Sequence, residues 1–236
     1  MSRKKLLFLL AASMIISFTF GVVTIQYKLF PYGHLLSIKD LLITNYDSEY
    51  SDYFHHKISF FEQHGNHDYD VVFIGDSITD SAEWEDLFPS RKIANRGIGG
   101  DRTDGVLKRL DSIYSTHARK AFIMIGINDL KSGREIDEIV KNYEKIASNL
   151  TSHGMHTYIQ STLLTGYKGS NLNKRINLLN NNLKKLSINN DTITYIDLNS
   201  GLTRDFALDK TFSRDGIHLN GEGYNVWQKI IENHIQ

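Results

Sequence analysis

The sequence predicts an α/β protein: a five-stranded parallel sheet covered by helices on both faces, preceded by one transmembrane helix. Three observations carry this. Five short apolar runs, at residues 71–74, 92–95, 121–125, 157–160 and 193–198, are each bounded by glycine or polar residues. Segments of helical period lie between and after them. Ahead of them, residues 6–27 carry no charge and are rich in Leu, Ile, Val and Phe. Strands covered on both faces read as continuous apolar runs, and strands alternating with helices imply parallel pairing.

The N-terminal element comes first. Arg3, Lys4 and Lys5 precede the uncharged stretch. About 20 apolar residues in a helix span the roughly 30 Å hydrocarbon core, whereas a secretory apolar region is about 7–15 residues and ends in a small-x-small cleavage site. Phe18-Thr19-Phe20-Gly21 is a poor cleavage site. Residues 6–27 therefore read as an uncleaved signal anchor, with a cleaved signal peptide as the alternative. Positive residues stay cytoplasmic, so residues 1–5 are expected to form a cytoplasmic tail. The rest then lies outside the inner membrane, in the periplasm or beyond the cell. Residues 28–67, rich in Tyr, His, Asp and Ser, read as a juxtamembrane connector with a helix near residues 50–63.

Regular alternation begins at Asp68, so residues 68–236 are expected to form the α/β domain. After the second run, Val106, Leu107, Leu110 and Ile113 make a short helical stripe. After the third, Ile136, Ile139, Val140, Tyr143, Ile146, Ala147 and Leu150 share one face, and Gly154 can close that helix. After the fourth, Leu172, Ile176, Leu179, Leu183 and Leu186 recur at helical spacing. A last helix is expected from Gly221 through Val226, Trp227, Ile230 and Ile231.

Composition excludes several classes. Lys plus Arg equals Asp plus Glu at 27 each, which gives no reason to expect a nucleic-acid partner. The chain has no cysteine, which removes disulfides, cysteine nucleophiles and thiolate metal sites. No metal or cofactor is expected.

Four segments fall at or beside the carboxyl ends of the predicted strands, where such sheets bind ligands. Gly75-Asp76-Ser77-Ile78-Thr79 follows the first run and offers Ser77 as a nucleophile. A serine hydroxyl needs a base, and His218 in Asp215-Gly216-Ile217-His218 is the candidate. An aspartate three residues earlier can accept the Nδ1 proton and fix the tautomer. Donors for an oxyanion are Asn128, in Gly126-Ile127-Asn128-Asp129, and the backbone of Gly99-Gly100. The Ser77 N–H is a third. Each segment taken alone has a plain alternative: a turn serine, a capping aspartate, a surface histidine, a left-handed asparagine, a glycine turn. Four together, in this order, are a much rarer coincidence.

These segments resemble the blocks of the SGNH hydrolases, the GDSL-type esterases and lipases. Ser77 matches block I, Gly100 block II, Asn128 block III, and Asp215 with His218 block V; Ile78 stands where the family name has leucine. The wording Gly97-Ile98-Gly99-Gly100-Asp101-Arg102-Thr103 is similar to the platelet-activating-factor acetylhydrolase-like branch. The resemblance covers about residues 68–236. It implies a flavodoxin-like three-layer sandwich and ester hydrolysis without metal. It also implies Ser77 as nucleophile, His218 as general base and acid, and Asp215 as its orienter. Ser77 N–H, Gly100 N–H and Asn128 Nδ2 would then form the oxyanion hole. Asp76, Asp101 and Asp129 read as hydrogen-bonders of these turns. The G-x-S-x-G elbow of another hydrolase fold is absent around Ser77.

Weaker signals remain. His55, His56, His64 and His67 lack the carboxylate-rich spacing of a metal site, and no G-K-[ST] follows the Gly97–Gly100 loop. His153 and His156 read as solvated. Arg96 and Arg102 either flank the cleft or are ordinary surface arginines. Leu163, Leu164 and Tyr167 either line a pocket or pack. The function expected is a membrane-anchored serine esterase acting on short, acetyl-sized acyl esters, with carbohydrate esters as candidate substrates. The alternatives are a carbohydrate O-acyltransferase using the same site, a lysophospholipase or thioesterase, and a catalytically silent glycan-binding subunit.

Overall fold

The computed structural model describes residues 3–27, 50–188 and 190–235. The chain divides into two compact units, Met1–Glu49 and Tyr50–Gln236. In the first, α1 (Arg3–Tyr27) is long and apolar enough to cross a membrane. Of the expected connector, residues 28–49 lie outside the described residues. Its remainder belongs to the second unit and forms α2 (Asp52–His64).

Helix α2 is capped by Ser51, whose Oγ accepts the Phe54 N–H at 3.3 Å. Phe54 and Phe61, two turns apart, are buried against Ile98. The sheet comprises β1 (Val71–Gly75), β2 (Ile93–Gly97), β3 (Lys120–Met124), β4 (His156–Gln160) and β5 (Ile193–Ile196). The order is β2-β1-β3-β4-β5 and every pairing is parallel. This is the flavodoxin-like order, and it reverses direction between β1 and β3, which opens a crevice at their carboxyl ends.

After β1 come α3 (Ser77–Asp80) and α4 (Trp84–Leu87); after β2, α5 (Thr103–Lys108) and α6 (Leu110–Tyr114). After β3 come α7 (Ile127–Lys131) and α8 (Ile136–Ser152); after β4, α9 (Asn171–Leu186). After β5 come α10 (Asn199–Leu202), the two-stranded hairpin β6 (Thr203–Arg204) and β7 (Ala207–Leu208), and α11 (Gly221–Ile235).

Alternate residues of a strand point to opposite faces, and β1 shows what each face meets. Val72 and Ile74 pack with Ile139 and Ile146 of α8 and Ile176 and Leu183 of α9. Val71 and Phe73 pack with Trp84, Trp227 and Ile231 on the other face. The expected single stripe over residues 106–113 is two helices, because the chain leaves helical geometry at Arg109 (φ −123°, ψ 24°). The Arg109 side chain is drawn into the interior to pair with Asp101 at 2.8 Å, both fully buried.

Candidate active site

The site begins where β1 ends. A side chain at Gly75 would overlap the Thr79 hydroxyl and the Met124 carbonyl, so glycine lets α3 turn back against the sheet. Asp76 caps that helix, its Oδ1 accepting the Ile78 N–H at 3.0 Å. Ser77 is the first helical residue, so its own N–H has no acceptor within the helix. Three contacts hold α3 from outside. Trp84 Nε1 donates to the Thr79 carbonyl at 3.1 Å, and Tyr224 Oη donates to the Ile78 carbonyl at 2.7 Å. At the end of β2, a Cβ on Gly97 would collide with the backbone of Asp80.

The loop after β2 is a turn closed by Asp101 N–H on the Ile98 carbonyl at 3.1 Å. Gly100 within it has φ +80°, a left-handed conformation that glycine adopts without strain. Asn128, on α7, donates one Nδ2 hydrogen to the Asp101 carbonyl at 3.0 Å. This hydrogen, one of the two a primary amide carries, ties Asn128 to the Gly100 loop.

The segment before α11 brings a histidine to Ser77. His218 Nε2 lies 2.9 Å from Ser77 Oγ, although the two are 141 residues apart. His218 Nδ1 lies 2.7 Å from Asp215 Oδ2. Asp215 Oδ1 accepts the backbone N–H of His218 at 2.8 Å and of Ile217 at 2.9 Å, so the carboxylate is aimed by its own turn. The His218 ring and these two backbone donors hold the Asp215 carboxyl well below the usual carboxylate range. The side chains of His218 and Asp215 are 44% and 54% exposed, which places the pair at the surface.

Three buried carboxyls stand behind the site. Burial, with the neighbouring Asp101 and Asp129 carboxyls, pushes Asp76 up to about 7 against the pull of the Ile78 N–H and His218. Burial pushes Asp101 up to about 6 against the pull of Arg109. Burial also raises Asp129, whose oxygens accept the N–H and hydroxyl of Thr103 at 3.1 and 2.6 Å. All three act as the hydrogen-bonders of these turns.

The structure thus joins Ser77, His218 and Asp215 in one chain of contacts. It joins Asn128 to the Gly100 loop through the Asp101 carbonyl. Other expectations change. Arg96 is neither a cleft nor a surface residue: it is buried, donating to the carbonyls of Ser112 at 3.1 Å and Gly65 at 3.3 Å, with its guanidinium 4.5 Å from the Phe61 ring centre. Arg102 pairs with Asp104 at 3.3 Å and lies 5.0 Å from the Tyr50 ring centre. Leu163 and Leu164 are core residues, while Tyr167 is exposed and its hydroxyl donates to the Asp215 carbonyl at 3.1 Å. His153 is exposed, but His156 is half-buried, with Nε2 2.8 Å from Thr194 Oγ1. Sequence reasoning missed that α2 reaches the site region: Tyr53 Oη and Lys57 Nζ each lie 2.7 Å from the Asp80 carboxylate. The signal for it was the apolar spacing of Phe54, Ile58 and Phe61.

Residues 73–226 match the GDSL-like Lipase/Acylhydrolase family. The chain is 26% identical over 163 residues to an N-acylneuraminate cytidylyltransferase of Streptococcus agalactiae serotype V, a match covering 69% of this chain and 38% of that protein. It therefore spans well under half the length of that relative. It is 28% identical over 166 residues to platelet-activating factor acetylhydrolase IB subunit alpha2 of Rattus norvegicus, covering 66% of this chain and 71% of that one. Among solved structures, a protein of Streptococcus pneumonia provisionally named a platelet activating factor superposes with a TM-score of 0.72 at 22% identity, over 86% of this chain and 98% of that one. A catalytic mutant of an acetylxylan esterase from Geobacillus stearothermophilus gives 0.59 at 15% identity, over 72% and 94%. At these identities the two structures speak to the fold.

Proposed function

We propose that this chain, which belongs to the GDSL-like lipase/acylhydrolase family, is an ester-bond hydrolase with Ser77, His218 and Asp215 as its catalytic triad, and that it removes acetyl-sized groups from carbohydrates. The observation that carries the triad is the pair of contacts at 2.9 Å and 2.7 Å linking Ser77 Oγ, His218 and Asp215. Asp215 holds the Nδ1 proton, which leaves the Nε2 lone pair facing Ser77 Oγ. In the first half-reaction Oγ attacks the acyl carbon as its proton passes to Nε2. The carbonyl oxygen becomes an oxyanion held by Ser77 N–H, Gly100 N–H and Asn128 Nδ2. Collapse expels the alcohol, which leaves with the proton from His218, and the acyl group stays on Ser77. A water then attacks with His218 again as base, releasing the acid and restoring the hydroxyl.

The substrate reading rests on exposure. A buried methylene is worth about 0.8 kcal/mol, and an acyl chain laid on a site whose histidine and aspartate are 44% and 54% exposed gains little of that. Short acyl groups lose least. Two of the similar proteins are named for acetyl hydrolysis, one of them on xylan. The membrane reading rests on α1, apolar over its length after Arg3, Lys4 and Lys5. It places residues 1–5 in the cytoplasm, makes residues 6–27 a single-pass inner-membrane anchor, and puts the catalytic domain on the far side.

The test is a chain-length series on the full chain in detergent: p-nitrophenyl acetate, butyrate and octanoate beside acetylated xylo-oligosaccharide. The expected order of kcat/KM is acetate first, falling with length, with acetate released from the oligosaccharide. A rise with chain length would favour a lipid substrate. Acetyl appearing on an added glycan acceptor would favour transfer.

A further inference from the structure

We propose that Asp80 is a positioning residue that locks the oxyanion loop to the nucleophile helix, and that α2 supplies the clasp which holds Asp80 in place. This rests on the reading of Gly100 N–H as an oxyanion donor.

Asp80 ends the helix that Ser77 begins, and its N–H closes on the Asp76 carbonyl at 2.9 Å. Its carboxylate turns away from that helix. Oδ2 accepts the Gly99 N–H at 3.2 Å and the Tyr53 hydroxyl at 2.7 Å. Oδ1 pairs with Lys57 Nζ at 2.7 Å, and the Asp80 side chain is only 13% exposed. One carboxylate thus touches three elements: the nucleophile helix through its own backbone, the loop after β2, and α2.

The loop needs such a fixing. A Cβ built on Gly100 would meet nothing within 4 Å, so no packing confines that residue on its side-chain face. On the other side, the nearest atom to a Cβ on Gly99 is Tyr53 Cε1 at 3.4 Å, so the Tyr53 ring forms the wall against which the loop rests. The Gly99 N–H is one peptide before the Gly100 N–H. Fixing the first limits where the second can point. An oxyanion donor is effective only at about 2.7–3.1 Å from the developing charge, so a small drift of this loop costs rate without removing any group that binds the ground state. Burial and the Asp80 carboxylate push the Tyr53 hydroxyl up to about 12, so it stays a donor across the working pH range.

The test uses the full chain in detergent, with p-nitrophenyl acetate turnover divided by the number of sites a fluorophosphonate labels. Asp80→Ala is expected to lower kcat about 10- to 100-fold with KM within about twofold, part of the loss that removing a whole oxyanion donor brings. Asp80→Asn combined with Lys57→Met keeps an acceptor for Gly99 and Tyr53 and leaves no ammonium facing an amide. It is expected to retain kcat within about threefold. Should Asp80→Ala fold poorly, Tyr53→Phe with Lys57→Met removes the clasp from an exposed and a half-buried position and is expected to lower kcat about 3- to 10-fold at an unchanged unfolding midpoint. An unchanged kcat per labelled site in Asp80→Ala, or in the clasp variant, overturns the proposal. So does a loss confined to KM or to the unfolding midpoint. A wild-type chain that takes no label and turns over no ester overturns the site reading itself, and this inference with it.

Discussion

Replacing Asp215 by asparagine probes the triad at its most specific point. Asp215 Oδ1 faces two backbone donors, the N–H groups of His218 and Ile217 at 2.8 and 2.9 Å. The amide of Asp215→Asn must therefore place its oxygen there, since the reverse orientation would set its NH2 against two N–H groups. That leaves Nδ2 opposite His218 Nδ1, now at the position of the 2.7 Å contact. A donor opposite Nδ1 favours the tautomer with its proton on Nε2. Nε2 then donates to Ser77 Oγ across 2.9 Å instead of accepting from it, and the base is lost. In a buried triad this inversion costs about 10⁴-fold in kcat. Here the Asp215 side chain is 54% exposed, and water can satisfy part of the mismatch, so the expected loss is about 10²- to 10³-fold, roughly 3–4 kcal/mol at 1.36 kcal/mol per decade. The assay is initial rates on p-nitrophenyl acetate from pH 5 to 9, with KM measured in parallel and expected to change little. A kcat within tenfold of wild type across that range would refute the tautomer argument and place the orienter of His218 elsewhere.

Three further outcomes are expected. Asp76, raised by burial to about 7, holds its proton when folded at pH values where an unfolded aspartate, at about 3.9, has lost it. Stability should therefore fall as pH rises through this window, by at most about 1.4 kcal/mol per unit, and level off above it. Asp76→Asn, which keeps an acceptor for Ile78 N–H, should flatten that slope in urea titrations at pH 5, 6, 7 and 8; an unchanged slope assigns it to other groups. Gly97→Ala forces a methyl into the backbone of Asp80, and should cost about 1–3 kcal/mol of stability together with activity; a neutral result would mean that α3 tolerates displacement. If α1 is retained as an anchor, intact mass of membrane-extracted protein should include residues 1–27, and carbonate washing should not release it. A mature chain beginning near residue 28 in the soluble fraction would instead identify a cleaved signal.

Much of this was legible in the sequence because it depends on period and order. The five strands and the helices Ile136–Ser152 and Asn171–Leu186 announce themselves because each must bury a continuous run or stripe. The meeting of Ser77 with His218 and Asp215, and of Asn128 with the Gly100 loop, was legible because a parallel sheet gathers the ends of its strands on one edge, so motif order alone predicts proximity. What was not legible depends on single side chains crossing between elements. The break at Arg109 follows from its burial beside Asp101, which no periodicity reports. Arg96 has the composition of a cleft residue, yet its fork is spent on the carbonyls of Ser112 and Gly65. The part played by α2 was hidden for the same reason. Tyr53 and Lys57 are 27 and 23 residues from Asp80, and the packing of Phe54 and Phe61 against Ile98, with Arg96 held on Phe61 and Gly65, brings them to it.

The most direct measurement of the central claim is covalent labelling of Ser77. The full-length protein, treated in detergent with a fluorophosphonate, should gain one adduct, located by peptide mass spectrometry at Ser77. His218→Ala should react far more slowly, and Ser77→Ala should take no label and show no esterase activity. Full labelling or normal turnover in Ser77→Ala would contradict the account, since the nucleophile would then lie outside the Ser77–His218–Asp215 relay.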